Sequence, residues 1–83
     1  METDSMTNTA EHRLDARGLF CPEPVMLLHK SVRRMQEGEV LEILATDPST
    51  QRDIPKFCDF LGHTLIMQEV RGEIFVYRMR KGT

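Results

Sequence analysis

Apolar residues recur along this chain with two different periods, and the alternation between them divides it into six elements. A short extended stretch, residues 13–16, runs into the turn pair Arg17-Gly18. Over residues 22–36 the period becomes helical. Val25, Leu28, Val32 and Met35 are spaced by three, four and three and share one face. Gly38 is placed to stop that helix. Val40–Ala45 is almost wholly apolar, as a central strand covered by helices should be. Thr46-Asp47-Pro48 then marks a turn or a helix start, since Asp caps well and Pro suits a first helical position.

The second helix is harder to place. A proline inside a helix costs about 3 kcal/mol, so Pro55 argues for a helix capped by Asp53 with Pro55 in its first turn. Ile54, Phe57, Cys58 and Leu61 then fall at i, i+3, i+4 and i+7 on one buried face, and Gly62 ends the helix. Residues 64–70 and 73–80 read as two strands joined at Arg71-Gly72, a hairpin signal. The order is βαβαββ. The first two strands, joined by a helix, should be parallel, and the last two antiparallel. An α+β fold follows: a two-layer sandwich with a four-stranded mixed sheet and both helices on one face.

Composition narrows this picture. The chain has 83 residues, enough for one domain with a modest core and too few for an interdomain cleft or a full dinucleotide-binding fold. Leu, Ile, Val and Phe supply 21 of them, about a quarter, which is above the range of disordered chains. The net charge of −2 is uneven. Residues 1–11 hold Glu2, Asp4 and Glu11 and no base, and read as a polar, disordered tail in which Met6 is an alternative start. Residues 12–83, read as the single folded domain, hold 11 basic and 10 acidic groups. Near-neutrality does not suit a nucleic-acid groove, so no tight binding of nucleic acid is expected. Arg78, Arg80 and Lys81 read as solvated groups protecting a sheet edge.

Two cysteines, Cys21 and Cys58, are too few for a disulfide framework. His12, His29 and His63 have no ligand-like spacing to either, so no metal site is expected. Without a signal-peptide pattern or a membrane-length apolar run, the expected compartment is the reducing cytoplasm.

Chemistry concentrates in Gly18-Leu19-Phe20-Cys21-Pro22-Glu23-Pro24. Pro22 at a first helical position would put Cys21 at the N-cap, where free amides and the helix dipole favour a thiolate, the nucleophilic form, while Glu23 pulls the other way. Spacing alone leaves Cys21 open between a reactive thiol and a space-filling residue, and Pro22 and Pro24 between active-site support and plain helix-start residues. Cys58 shares the apolar face of Ile54 and Phe57 and reads as core. Thioredoxin-like exchange would need a cysteine where Pro24 stands. A lone exposed thiol suits a group carrier better than an oxidant.

Leu14-Asp15-Ala16-Arg17-Gly18-Leu19-Phe20-Cys21-Pro22-Glu23-Pro24 resembles the signature of the TusA (SirA-like) sulfur-carrier family. The likeness continues through Asp47-Pro48, Arg52-Asp53-Ile54-Pro55, Phe57-Cys58 and Arg80-Lys81-Gly82, and so covers about residues 12–82. It implies the same βαβαββ sandwich. It also implies that Cys21 carries sulfur as a persulfide, loaded by a cysteine desulfurase whose pyridoxal phosphate belongs to the donor. The sulfur would pass to a downstream sulfur-relay protein and serve 2-thiolation of the tRNA wobble uridine. Related members feed selenium or sulfur-oxidation pathways, and some are associated with regulation. A non-catalytic regulatory module is therefore the alternative. The carrier itself needs no cofactor.

Sulfur transfer is thiolate attack on the outer sulfur of another persulfide, so access weighs as much as acidity. Gly18 would let the loop turn before the helix. Met26, His29, Lys30 and Arg33 are candidate partner contacts that read more readily as a solvated helix face, and Arg52 and Asp53 are similarly open, with Asp53 read as a cap first. Met35 and Met67 read as core.

Overall fold

A computed structural model describes residues 10–82. Its elements run β1 (His12–Ala16), α1 (Glu23–Arg33), β2 (Val40–Ala45), α2 (Thr50–Leu61), β3 (Thr64–Arg71) and β4 (Ile74–Arg80). The four strands form one sheet in the order β1-β2-β4-β3, with β1 parallel to β2 and β4 antiparallel to both its neighbours. This is the expected α+β fold, a mixed sheet with two helices. The tail read from residues 1–11 lies outside the described residues except for its last two. Of these, Glu11 Oε1 accepts the Val40 N–H at 2.8 Å.

The core forms where the two amphipathic helices meet the sheet. Leu28, Val32 and Met35, at the head of β2's loop and on α1, pack with Ile54, Phe57 and Cys58 of α2. Both sets cover Leu41, Ile43 and Ala45 of β2 and Tyr77 and Met79 of β4. The opposite sheet face mixes apolar side chains, among them the buried Val76 of β4, with charged ones. There Glu42 of β2 is buried between Arg13 (3.2 Å) and Arg78 (3.4 Å).

Several elements differ from the sequence reading, each for a local reason. The first helix ends at Arg33 rather than at residue 36, because its last turn tightens into bonds from Arg34 N–H to Ser31 O and from Met35 N–H to Val32 O. Lys81 Nζ then takes the orphaned carbonyls of Val32 (2.9 Å) and Met35 (2.7 Å). Gly38 is thus not the helix stop; its N–H joins the Lys81 carbonyl at 2.8 Å beside β2.

The second helix begins at Thr50, not at Asp53, so Pro55 lies inside it. Pro55 has no N–H for the Gln51 carbonyl one turn back. That carbonyl instead accepts a long bond from Gln68 Nε2 of β3 at 3.5 Å. Leu61, expected on the buried face, is exposed, because the core side of α2 ends at Cys58 and Gly62 closes the helix in the left-handed region.

Met67 is also not core. The β3–β4 register shifts between Leu65 and Met67, so Met67 sits opposite Arg78 on the face away from the helices. Side chains alternate strictly along a strand, and one irregular residue reverses every later assignment. The hairpin turn falls at Gly72-Glu73, one residue later than expected. Finally β4 is an interior strand, so Arg78 is not an edge residue, and Lys81 serves as a helix cap.

Candidate functional site

The loop before α1 is fixed from the core outward. The Tyr77 and Thr50 hydroxyls share a buried 2.8 Å hydrogen bond, and Thr50 Oγ1 donates to the Asp47 carbonyl at 2.7 Å. The Asp47 side chain, held in this way at the head of α2, reaches back across the loop. Its Oδ1 accepts the Ser49 N–H at 3.1 Å, and its Oδ2 accepts the Ser49 hydroxyl at 2.9 Å and the Cys21 N–H at 2.7 Å. The backbone donors Ser49 and Cys21, with the Ser49 hydroxyl, hold the Asp47 carboxyl below its ordinary value. Gly18 supplies the bend after β1 at φ +82°, where a Cβ would be strained, and donates its N–H to Thr46 Oγ1 at 2.8 Å.

Cys21 stands exposed at the end of this loop. It is not the N-cap: that position is Pro22, with Glu23 in the first turn and Pro24 buried beneath it. The hydrogen-bond partner of the thiol is accordingly a carboxylate of α2 and not an amide of α1. Sγ lies 3.7 Å from Asp53 Oδ2. The other Asp53 oxygen accepts Arg52 Nε at 3.0 Å, and the Asp53 side chain is 20% exposed.

An open groove of about 710 Å³ runs from Cys21 between the two helices, with Pro22, Val25, His29, Lys56 and Phe60 among its walls. Its floor is Phe57, against which the His29 ring packs edge-on at 4.7 Å. Phe60 stands on the rim 88% exposed, an apolar ring open to solvent at the mouth of the groove. Its neighbours Lys56, Asp59 and Asp53 give the wall both signs of charge.

Of the residues singled out in the sequence, Cys21, Pro22 and His29 line this groove. Gly18, Glu23 and Pro24 shape the approach to it. Met26 is 61% exposed beside it. Lys30 and Arg33 lie exposed toward the last turn of α1, outside the lining, and Arg52 enters only through its contact with Asp53. Sequence reasoning missed Asp47 as the anchor of Cys21 and missed Lys56, Asp59 and Phe60 as wall. Phe60 left a signal, being an aromatic residue off the Ile54–Phe57–Cys58 stripe. Among the described residues no group of three or more His, Cys, Asp or Glu is placed to hold a metal ion.

The second cysteine is unlike the first. Cys58 is 2% exposed, touches Met79 Sδ at 3.9 Å, and burial pushes its thiol up to about 11.

Fold and site together define a class of small two-layer α+β proteins that present one cysteine just ahead of their first helix. The family described as Sulfurtransferase TusA matches residues 12–81, and this chain belongs to it. It is 56% identical over 73 residues to the Sulfur carrier protein TusA of Pseudomonas syringae, covering 88% of this chain and 87% of that protein. To the Sulfur carrier protein TusA of Pseudomonas aeruginosa it is 54% identical over 76 residues, covering 92% and 96%. The crystal structure of a SirA-like protein from Desulfitobacterium hafniense superposes with a TM-score of 0.74 at 20% identity, covering 87% of this chain and 99% of that one. That last likeness is one of fold.

Proposed function

We propose that this protein carries sulfur as a persulfide on Cys21, taking it from a cysteine desulfurase and passing it to a downstream sulfur-relay protein. The route serves 2-thiolation of the tRNA wobble uridine, in the cytoplasm, and the carrier contributes no cofactor of its own. The observation that carries this reading is the contrast between the two thiols. Cys21 is exposed on a braced loop at the mouth of a groove, and Cys58 is sealed in the core. Exchange between persulfide and thiol requires the attacking sulfur to reach the outer sulfur of its donor, so an open thiol on a rigid support meets the geometric need. Relatives named as sulfur carriers, at more than half identity over most of their length, support the same assignment. Among the described residues no helix is long and apolar enough to cross a membrane.

The test is incubation with a cysteine desulfurase and cysteine, followed by intact mass. The wild-type chain and Cys58→Ser should each gain a sulfur atom, and Cys21→Ser should gain none. Sulfur on Cys21→Ser but not on Cys58→Ser would reverse the assignment.

A further inference from the structure

The two carboxylates near Cys21 have different duties. Asp47 spends both oxygens on the loop: its three hydrogen bonds come from Ser49 and from the Cys21 backbone. Asp53 uses Oδ1 for Arg52 and turns Oδ2 to the sulfur itself, at 3.7 Å. Arg52 is 66% exposed on its outer side, so the ion pair closes Asp53 toward solvent and leaves it open toward Cys21. No histidine or lysine among the described residues hydrogen-bonds Sγ; His29, on the same groove, gives its ring to Phe57.

We propose that Asp53 is a catalytic residue of the sulfur transfer, the group that takes the Cys21 proton as the thiol attacks and delivers it to the departing sulfur. The inference rests on the carrier reading above and deepens it. The co-reactant is a persulfide on a cysteine of the donor protein. Cys21 Sγ forms a bond to the donor's outer sulfur while the donor's S–S bond breaks. The bonding pair leaves on the donor's inner sulfur, which takes from Asp53 the proton that Sγ gave up. The transferred sulfur keeps its own proton and oxidation level, so one persulfide and one thiol become one thiol and one persulfide.

In open water a carboxylate is a weak base for a thiol, and here docking changes the balance. The groove wall beside Asp53 carries Phe60, Pro22 and Val25, and a partner seated on it removes water from a carboxylate that is already mostly covered. Desolvation disfavours a charged carboxylate and raises its affinity for a proton. Placement within reach of the proton comes first and proton affinity second, and Asp53 satisfies the first condition in the free protein.

The test compares wild type with Asp53→Asn and Asp53→Glu in two rates. One is sulfur uptake from a loaded cysteine desulfurase, followed by intact mass. The other is alkylation of Cys21 by iodoacetamide, a neutral reagent that needs no docked partner. Asp53→Asn should slow sulfur uptake about 100-fold and leave alkylation no slower. Asp53→Glu should recover part of the uptake. Uptake by Asp53→Asn within about 3-fold of wild type would overturn the proposal. So would an equal fall in both rates, which would assign Asp53 to the shape of the site. A wild-type chain that is alkylated normally on Cys21 yet takes no sulfur would instead refute the carrier reading itself.

Discussion

Cys21 and Cys58 carry the same side chain in opposite settings, and the contrast shows how a chain with so small a core divides its labour. Cys58 sits on the middle of α2, where helical spacing aligns it with Ile54 and Phe57 against β4. It contributes as a small apolar group, and burial suppresses its ionisation. Cys21 belongs to no regular element. Its place is fixed by Asp47, whose carboxylate accepts the Cys21 N–H and whose carbonyl accepts the Thr50 hydroxyl, with the Tyr77 hydroxyl bonded to Thr50 behind it. Packing makes one thiol inert, and polar bracing keeps the other in place while leaving it open.

The contrast is broken most directly by labelling. With iodoacetamide on the folded protein and peptide mapping, Cys21 should react at least about 10³-fold faster than Cys58, because modification of a core group waits on local opening that costs several kcal/mol. Comparable rates would mean that α2 opens readily, and the division of roles would fall with it.

The region around Cys58 was legible in the sequence, and the region around Cys21 only in part. Helical and alternating periods report which residues a core will claim, so Leu28, Val32, Ile54, Phe57 and Cys58 were readable from spacing. The parallel β1–β2 and antiparallel β3–β4 pairings followed from connectivity, whereas the β2–β4 pairing that makes β4 interior did not. Errors arose where a long-range partner overrode a local rule. Pro55 is tolerated inside α2 with Gln68, from another strand, at the carbonyl it orphans. Met67 left the core through one irregular residue in β3. At the site, the Gly18–Pro24 segment announced Cys21, yet Asp47 and Asp53 act on it from 26 and 32 residues away. No periodicity carries information of that kind.

A second, smaller effect sharpens the comparison through pH. The neutral Cys58 thiol is favoured in the fold, with its pKa raised from 9.0 to about 11. Above about pH 9 the unfolded chain releases this proton while the folded chain retains it. The folded state then binds more protons, so stability falls as pH rises from about 9 to 11. Two units correspond to a loss of about 2–3 kcal/mol by denaturant titration. Cys58→Ala should remove most of this slope, the remainder coming from Tyr77, whose hydroxyl is also raised by burial. Cys21→Ala should leave the slope intact. A slope that followed Cys21 instead would show the labels of the two regions to be reversed.

The smallest effect asks whether the two regions are energetically joined. Tyr77→Phe removes one end of the buried hydroxyl pair, yet Thr50 Oγ1 keeps its bond to the Asp47 carbonyl. The expected loss of stability is about 0.5–1.5 kcal/mol, the net worth of one ordinary hydrogen bond. Alkylation of Cys21 should change by less than about 2-fold, because residues that share no contact act additively. Asp47 would still be held by Thr50 and would still hold the Cys21 backbone. A tenfold change in Cys21 reactivity, with stability altered only as expected, would mean that the hydroxyl pair positions the loop as well as stabilising the core. The polar chain from Tyr77 to Cys21 would then be a single cooperative unit, and the active thiol would owe its place to the same interior that silences Cys58.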